Sequence, residues 1–132
     1  PAFDVQAATS QTISSNTNTK VIFDQENLDT DNDFASSRFT ASVAGFYVFH
    51  GSTGGAARNG YIAIWLKKNG STDYYMVDSS NHNGSYTEQG TKVLYLNAND
   101  YVELWINMAS GRTLAHNNTN SSTRFSGFRI IT

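Results

Sequence analysis

Short segments with apolar side chains at every second position are the feature that most limits how this chain can fold. They are rich in β-branched and aromatic residues and are bounded by Gly, Asn, Asp or Ser, as strands usually are. No segment shows a helical period of useful length. The 132 residues are therefore predicted to form one all-β domain, a sandwich or a barrel. The clearest segments are 45–51, 61–66, 91–96, 100–107 and 123–131, and the weaker ones are 2–7, 19–23, 37–41 and 73–77.

The connections between these segments alternate strictly between tight and long. The tight connections are 42–44, 69–72 and 97–100, and the second contains the hairpin signal Asn69-Gly70. The long connections are 52–59, 78–90 and 108–122. If successive strands reverse direction, all the long connections lie at one end of the domain. Loops gathered at one end of a rigid scaffold are where binding usually takes place.

Several strands are apolar on both faces. In 61–66, Ile62 and Ile64 share one face, while Tyr61 and Trp65 share the other. A sandwich strand normally has one apolar and one polar face. The second apolar face of these strands is therefore expected to pack against something outside the domain. We predict an oligomer that buries an aromatic surface between subunits. The alternative is that Trp65 and Trp105 form an exposed aromatic patch for a sugar ring or another flat ligand; we favour the structural interpretation.

Composition and motifs exclude several classes of function. The net charge of -2 gives no basic face for nucleic acid, and the apolar runs are too short to insert into a membrane. The absence of cysteine excludes disulfides and thiol catalysis. No nucleophile elbow, phosphate loop or zinc-protease motif is present. We therefore predict no enzymatic activity and no catalytic residue; a hydrolase would need paired acids in a cleft.

The long connections contain the residue types that recognition loops use, with Tyr, Ser, Gly and Asn around a few charged or imidazole groups. The histidines lack the partners and spacing of a zinc site. The alternative is a set of polar loops with no ligand. The candidate ligand-binding residues are Arg58, His82, Tyr86, Arg112 and His116.

Three alternating aspartates, Asp29, Asp31 and Asp33, resemble the start of a calcium loop. An EF-hand would need Gly and Glu at the positions of Phe34 and Thr40, so that motif is excluded. Two interpretations remain: another type of calcium site, and a solvated loop with Asx-type turns. We favour the loop.

Four stretches resemble the globular head of the C1q family, which is related to tumour necrosis factor. They are FTASVAGFYVF (39–49), KKNGS (67–71), LYLNANDYVELW (94–105) and STRFSGFRI (122–130), and the likeness extends from about Phe3 to Ile131. The resemblance implies a ten-strand antiparallel jelly roll that assembles as a homotrimer. It also implies long loops at the apex and both termini at the base, beside a fibrous stalk. We expect residues 1–132 to be one head domain from the C-terminal part of a longer fibrous protein.

Two departures from the family pattern affect what the resemblance implies. Ala41-Ser42 replaces the Cys-Pro that vertebrate members usually have, which favours a bacterial, phage or invertebrate relative. Some members hold an apical calcium ion with two aspartates. Asp78 matches the first, but the second falls near Tyr86, which cannot replace a carboxylate. Apart from this calcium, no cofactor is expected.

These observations predict a non-enzymatic trimeric head for recognition or adhesion, at the tip of an extracellular or virion fibre. Its apical loops would bind a glycan or a protein on a cell surface. The alternative is a purely structural domain that trimerises and caps a fibre without a ligand of its own.

Overall fold

The computed structural model describes residues 1–55, 58–84 and 87–131, with the backbone alone at 58 and 80–83. Every element in these residues is a strand, and every pairing is antiparallel, which confirms the all-β prediction. None of the described segments is a helix that could cross a membrane. The strands are β1 Ala2–Gln6, β2 Thr12–Ile13, β3 Thr19–Lys20, β4 Gln25–Asp29, β5 Phe34–Ala35, β6 Arg38–Thr40, β7 Gly45–Thr53, β8 Arg58–Lys68, β9 Thr72–Gly84, β10 Glu88–Leu96, β11 Tyr101–Met108, β12 Arg112–Thr113 and β13 Arg124–Arg129.

The strands form two packed sheets. One, the five-stranded sheet, has the order β10-β7-β13-β1-β4, and the other, the six-stranded sheet, has the order β5-β6-β11-β8-β9 with β3 beside β11. A small third sheet joins β2 to β12. The described residues contain thirteen strands rather than the ten expected, and four of them are only two residues long.

A cluster of phenylalanines joins the two sheets. Phe3 of β1 stacks on Phe39 of β6 with ring centroids 4.8 Å apart, and it meets Phe125 edge-on at 4.9 Å. Gly127 leaves room for these rings, because a Cβ there would lie 2.7 Å from Phe49 and 2.8 Å from Phe3. The alternating apolar residues therefore meet in one interior, as the period of two predicts.

Four strands extend further than their apolar patterns predict. β7 continues to Thr53, β8 begins at Arg58, β9 continues to Gly84 and β10 begins at Glu88. Two of the three predicted long connections are therefore short, at 54–57 and 85–87. Backbone pairing continues through polar residues such as those near the end of β9, where side-chain periodicity gives no signal.

The aspartate run begins in a strand rather than in a loop. β4 pairs with β1 at the edge of the five-stranded sheet, and most of its side chains are exposed. The expectation of a loop is wrong for Asp29, which is the last residue of this strand, because an exposed edge strand needs no apolar face. By contrast, only residues 19–20 of the predicted strand 19–23 form one.

The tight turns lie at one end of the sandwich and the connections expected to be long lie at the other, as the alternation in the sequence predicts. At the basal end, the carboxylate of Asp100 accepts a hydrogen bond from the Asn69 side chain at 2.7 Å, and the Asp100 carbonyl accepts one from the Ala41 amide at 2.8 Å. At the apical end, the Ala115 amide donates to the carbonyl of Gly54 at 2.9 Å. The two sets of connections therefore occupy opposite ends of the sandwich.

Asp100 makes the basal end sensitive to pH. Hydrogen bonds from Lys68, Asn69 and the Asn97 amide lower its pKa from the ordinary 3.8 to about 2. A lowered pKa in the folded state stabilises the protein above the unfolded-state pKa, and this contribution disappears as the pH falls towards 2. We expect Asp100→Asn to lower the melting temperature at pH 7, with a difference from the parent that shrinks between pH 5 and pH 2. Melting curves by circular dichroism across this range test the expectation, and a difference independent of pH would contradict it.

Candidate functional site

A buried ion pair lies beneath the apical end. The Nη2 atom of Arg112 lies 2.6 Å from Oε2 of Glu88, with only 1% and 6% of the two side chains exposed. The same nitrogen lies 3.5 Å from the carbonyl of Thr53. The pair therefore links the end of β7, the start of β10 and the connection between β11 and β13. Removing one partner of such a pair is costly, because the other charge is then buried without compensation.

Close backbone approach completes this junction. The short strand β12 pairs Arg112 with Ile13, and an isolated bridge joins Gly55 to Leu114. A Cβ at Gly55 would lie 2.6 Å from the carbonyl oxygen of Thr113, so glycine permits this approach. The sequence gives weak signals for these contacts because they join residues far apart in the chain.

The structure changes the expected role of Arg112. Because its side chain is buried and paired with Glu88, the expectation that it contacts an external ligand is wrong. Arg112 instead positions the apical connections. His116 is exposed, and its Nδ1 atom lies 3.2 Å from the carbonyl of Leu114.

Three other apical candidates are only partly covered by the structure. The backbone of Arg58 pairs with Gly84, and that of His82 pairs with Gly60, so both residues lie towards the apical end. The side chains of these two candidates, and the whole of Tyr86, lie outside the described residues. Their roles in binding therefore stay predictions.

The segment 116–120 forms an exposed polar loop at the apical end. Its shape is fixed by Asn117, whose Oδ1 atom accepts hydrogen bonds from the amides of Thr119 at 2.7 Å and Asn120 at 3.3 Å. The Asn117 carbonyl in turn accepts a hydrogen bond from the Gln6 side chain at 3.0 Å. This arrangement presents His116, Asn118 and Thr119 to solvent. Sequence reasoning singled out only His116, although the Asn-rich composition is typical of such turns.

The two tryptophans lie on the outward face of the six-stranded sheet, but they do not form an open patch. Trp65 is only 2% exposed, and the strand register places it between Trp105 and Tyr75. The expectation of an exposed patch is wrong for Trp65, while Trp105 is half-buried. Sequence reasoning missed Tyr75, which is 50% exposed.

Charged side chains complete the cover over this face. Arg38 lies 2.7 Å from Glu103, and Lys67 lies 2.8 Å from Asp73, so acids and bases alternate across four strands. Burial raises the pKa of Glu103, but a hydrogen bond from the Trp105 indole at 3.0 Å and the neighbouring cations lower it below its ordinary value overall. We call this set of aromatic and charged side chains the outer layer. It covers the sheet without a second subunit.

The opposite sheet has an apolar surface that the chain does not cover. Half-exposed side chains project from four of its strands, and the rings of Phe46 and Tyr95 meet edge-on at 5.2 Å. We call this surface the apolar face. Segments 45–51 and 91–96, which are apolar on both faces, are therefore the ones that need a packing partner from outside the chain. The strands that contain the tryptophans do not need one. The apolar face comprises Leu28, Phe46, Val93, Tyr95 and Phe128, each 48–53% exposed.

The family model for the C1q domain matches residues 2–130. The chain belongs to the C1q domain family. Such domains are known as non-enzymatic, trimeric recognition heads, and C1q and tumour necrosis factor-like domains are typically extracellular.

Solved structures confirm the C1q/tumour necrosis factor jelly roll. The globular domain of zebrafish complement 1qA is 22% identical with a TM-score of 0.70, covering 99% of this chain and 97% of that one. Murine APRIL at pH 8.0 is 10% identical with a TM-score of 0.74, covering 98% of both chains. Eiger TNF from S. frugiperda is 11% identical with a TM-score of 0.72, covering 98% and 92%. No curated protein sequence matches this C1q domain.

The calcium ligands suggested by the sequence are not brought together. Asp29 accepts hydrogen bonds from the amides of Asp33 and Phe34 at 3.1 and 2.9 Å, while the carboxylate of Asp33 accepts one from the Ser42 hydroxyl at 2.7 Å. Asp31 faces the N-terminal ammonium at 3.6 Å. Among the residues described, no three acidic or histidine side chains form a metal-binding group. The aspartates thus hold the turn between β4 and β6.

Asp78 does not provide the calcium site seen in some C1q domains. It is an exposed residue of β9 opposite Ala63, within hydrogen-bonding reach of the Tyr61 hydroxyl. Burial and this carboxylate raise the pKa of Tyr61. The second aspartate of that site falls near Tyr86 in the sequence, and a phenol is a poor ligand for calcium. The residues present do not fit that site.

The ion pair beneath the apical end can be tested by removing one partner and then both. Arg112→Met removes a cation that offsets the burial of Glu88, and we expect it to lower the free energy of unfolding by about 3–5 kcal/mol. The double variant Arg112→Met, Glu88→Leu should recover most of this loss, because neither charge of this pair is then left buried without the other. Urea denaturation followed by tryptophan fluorescence measures both. A double variant less stable than Arg112→Met would contradict this account.

Proposed function

We propose that this C1q domain is a homotrimeric head for recognition or adhesion that binds a cell-surface glycan or protein with its apical end. The observation that carries the proposal is that the apolar surface and the polar loop surface lie on different parts of the domain. The apolar face lies on one sheet, and the polar segment 116–120 lies at one end of the sandwich. A surface for assembly and a separate surface for binding are what such a head requires.

Assembly is supported by the apolar face. A group of half-exposed Leu, Phe, Val and Tyr side chains on one face of a sheet is typical of a protein interface. The six-stranded sheet is already covered by the outer layer, so its tryptophans do not need another subunit to bury them. Packing the five-stranded sheets around a threefold axis would bury the apolar face in all three subunits.

Binding at the apical end is supported by its pre-organisation. The buried pair of Arg112 and Glu88 and the turn at Asn117 fix the exposed segment 116–120 before any ligand arrives. A loop that is already ordered loses little conformational entropy on binding. Three such loops on one trimer would also raise the avidity of a weak single-site interaction. Arg58, His82 and Tyr86 belong to this proposed surface.

The setting that we propose is the tip of an extracellular or virion fibre. The two ends of the chain lie together, because the Arg129 amide donates a hydrogen bond to the Pro1 carbonyl at 3.0 Å. The tight turns share that basal end. A stalk joined there would direct the apical loops away from the fibre.

A structural cap without a ligand is the alternative function. It is favoured by one observation: the Arg112 guanidinium and the Oδ1 atom of Asn117 are both engaged in contacts within the chain. A head of this kind would need the apolar face but not the apical loops. The two functions therefore differ in their dependence on residues 116–120.

Assembly is tested by placing a charge on the apolar face. We expect Phe128→Lys to prevent formation of a trimer, because the buried interface would then contain an unpaired ammonium. Tyr75→Lys is the matched control, since Tyr75 is equally exposed but lies on the other sheet. Sedimentation velocity at micromolar concentration should show a trimer for the parent and for Tyr75→Lys. A monomeric parent would contradict the proposal.

Recognition is tested with the trimer on a glycan array and on bacterial and animal cells. Asn118→Arg places a bulky cation on the apical loop, and Ala98→Arg places the same group on an exposed basal turn. We expect Asn118→Arg to weaken binding by tenfold or more, while Ala98→Arg leaves it unchanged. Arg58→Ala, His82→Ala and Tyr86→Ala test the other candidates. A stable trimer that binds neither glycans nor cells would support the structural cap.

A further inference from the structure

Tyr75 presents an exposed ring on a rigid support. Its ring centroid lies 5.6 Å from that of Trp65 at an angle of 42°, and Trp65 is itself almost fully buried. The register places Trp105, Trp65 and Tyr75 opposite one another across three adjacent strands. Tyr75 is half exposed at the end of this aromatic row. The ring thus offers an apolar surface that needs little ordering before it contacts a ligand.

The charges around this ring balance one another. Lys67 lies 2.8 Å from Asp73, and its ammonium lies 5.2 Å from the centre of the Trp105 ring. On the far side of the row, Glu103 faces both Arg38 at 2.7 Å and Lys20 at 3.6 Å. Because the Lys67 ammonium already pairs with Asp73, this pair adds little net charge that could attract a cationic ligand. The nearby carboxylates in turn disfavour an anion, so the platform suits a neutral ligand.

Hydrogen-bond acceptors lie on both sides of the ring along β9. Asp73 precedes Tyr75 by two residues, a separation of about 7 Å along the same face of a strand. Lys67 engages Oδ1 of Asp73, which leaves Oδ2 for another donor. Asp78 follows on the other side, beyond a register shift that returns it to this face near Tyr61. A flat aromatic surface therefore lies between two exposed carboxylates.

We propose that Tyr75 is the centre of a lateral site for a neutral pyranose sugar. The apolar C–H face of the sugar stacks on the Tyr75 ring, and its hydroxyls donate hydrogen bonds to the carboxylates of Asp73 and Asp78. This site is separate from the apical loops. It requires that the six-stranded sheet faces solvent, as it does in the single chain, and for the assembled head it rests on the proposed trimer.

The test uses the methyl glycosides of mannose, galactose and glucose with the whole domain. Saturation-transfer NMR should show saturable contact between the protein and the ring protons of at least one glycoside. We expect Tyr75→Ser to weaken this binding by tenfold or more, whereas Tyr75→Phe keeps most of it because the ring remains. Asp73→Asn should weaken it several-fold, because a charge-assisted hydrogen bond becomes a neutral one.

Asn118→Arg separates this site from the apical one. That variant should bind the methyl glycoside like the parent, even where it no longer binds cells. The proposal is overturned if no glycoside binds saturably, if Tyr75→Ser binds as tightly as the parent, or if binding is lost in Asn118→Arg. A tetralysine peptide that binds in a Tyr75-dependent manner without glycoside binding would overturn it in favour of a cationic ligand. Loss of apical recognition alone would not affect this site.

Discussion

Each sheet of this sandwich has two faces, and only one of them can enter the shared core. The Phe3–Phe39 contact that joins the sheets therefore leaves two outward faces to be covered. The six-stranded sheet covers its own with aromatic rings beneath a row of ion pairs. The five-stranded sheet leaves Phe46, Tyr95 and Phe128 half exposed. Because burying apolar area is the dominant favourable term in association, this difference determines which sheet is available for assembly.

Two acids with little exposure, Glu88 and Glu103, lie where the phenylalanine core does not reach. Each is matched by cations from distant parts of the chain, Arg112 for Glu88 and both Arg38 and Lys20 for Glu103. Desolvation makes such pairs poor sources of net stability, but breaking one is costly. Each pair therefore connects strands that are far apart in the chain. At the apical end the pair joins β7, β10 and the connection that follows β11, and on the six-stranded sheet the ion pairs belong to the outer layer.

The local parts of this fold could be predicted from the sequence, and the long-range parts could not. Period-two patterns located the main strands, and Asn69-Gly70 located a hairpin turn. The pairing of Glu88 with Arg112 spans 24 positions and has no local signature. Burial of Trp65 likewise depends on neighbours from two other strands. The edge strand 25–29 was missed because an exposed strand needs no apolar alternation.

The positions of the two proposed sites have different consequences for binding strength. In the proposed trimer, the three copies of 116–120 point the same way, so one surface can engage them together and gain avidity. The three Tyr75 rings point outwards in different directions and cannot meet one flat surface simultaneously. The lateral site would therefore act with the affinity of a single sugar contact. The lateral site could therefore bind an oligosaccharide that runs along the side of the head. The apical loops could bind a surface that the tip of the head faces.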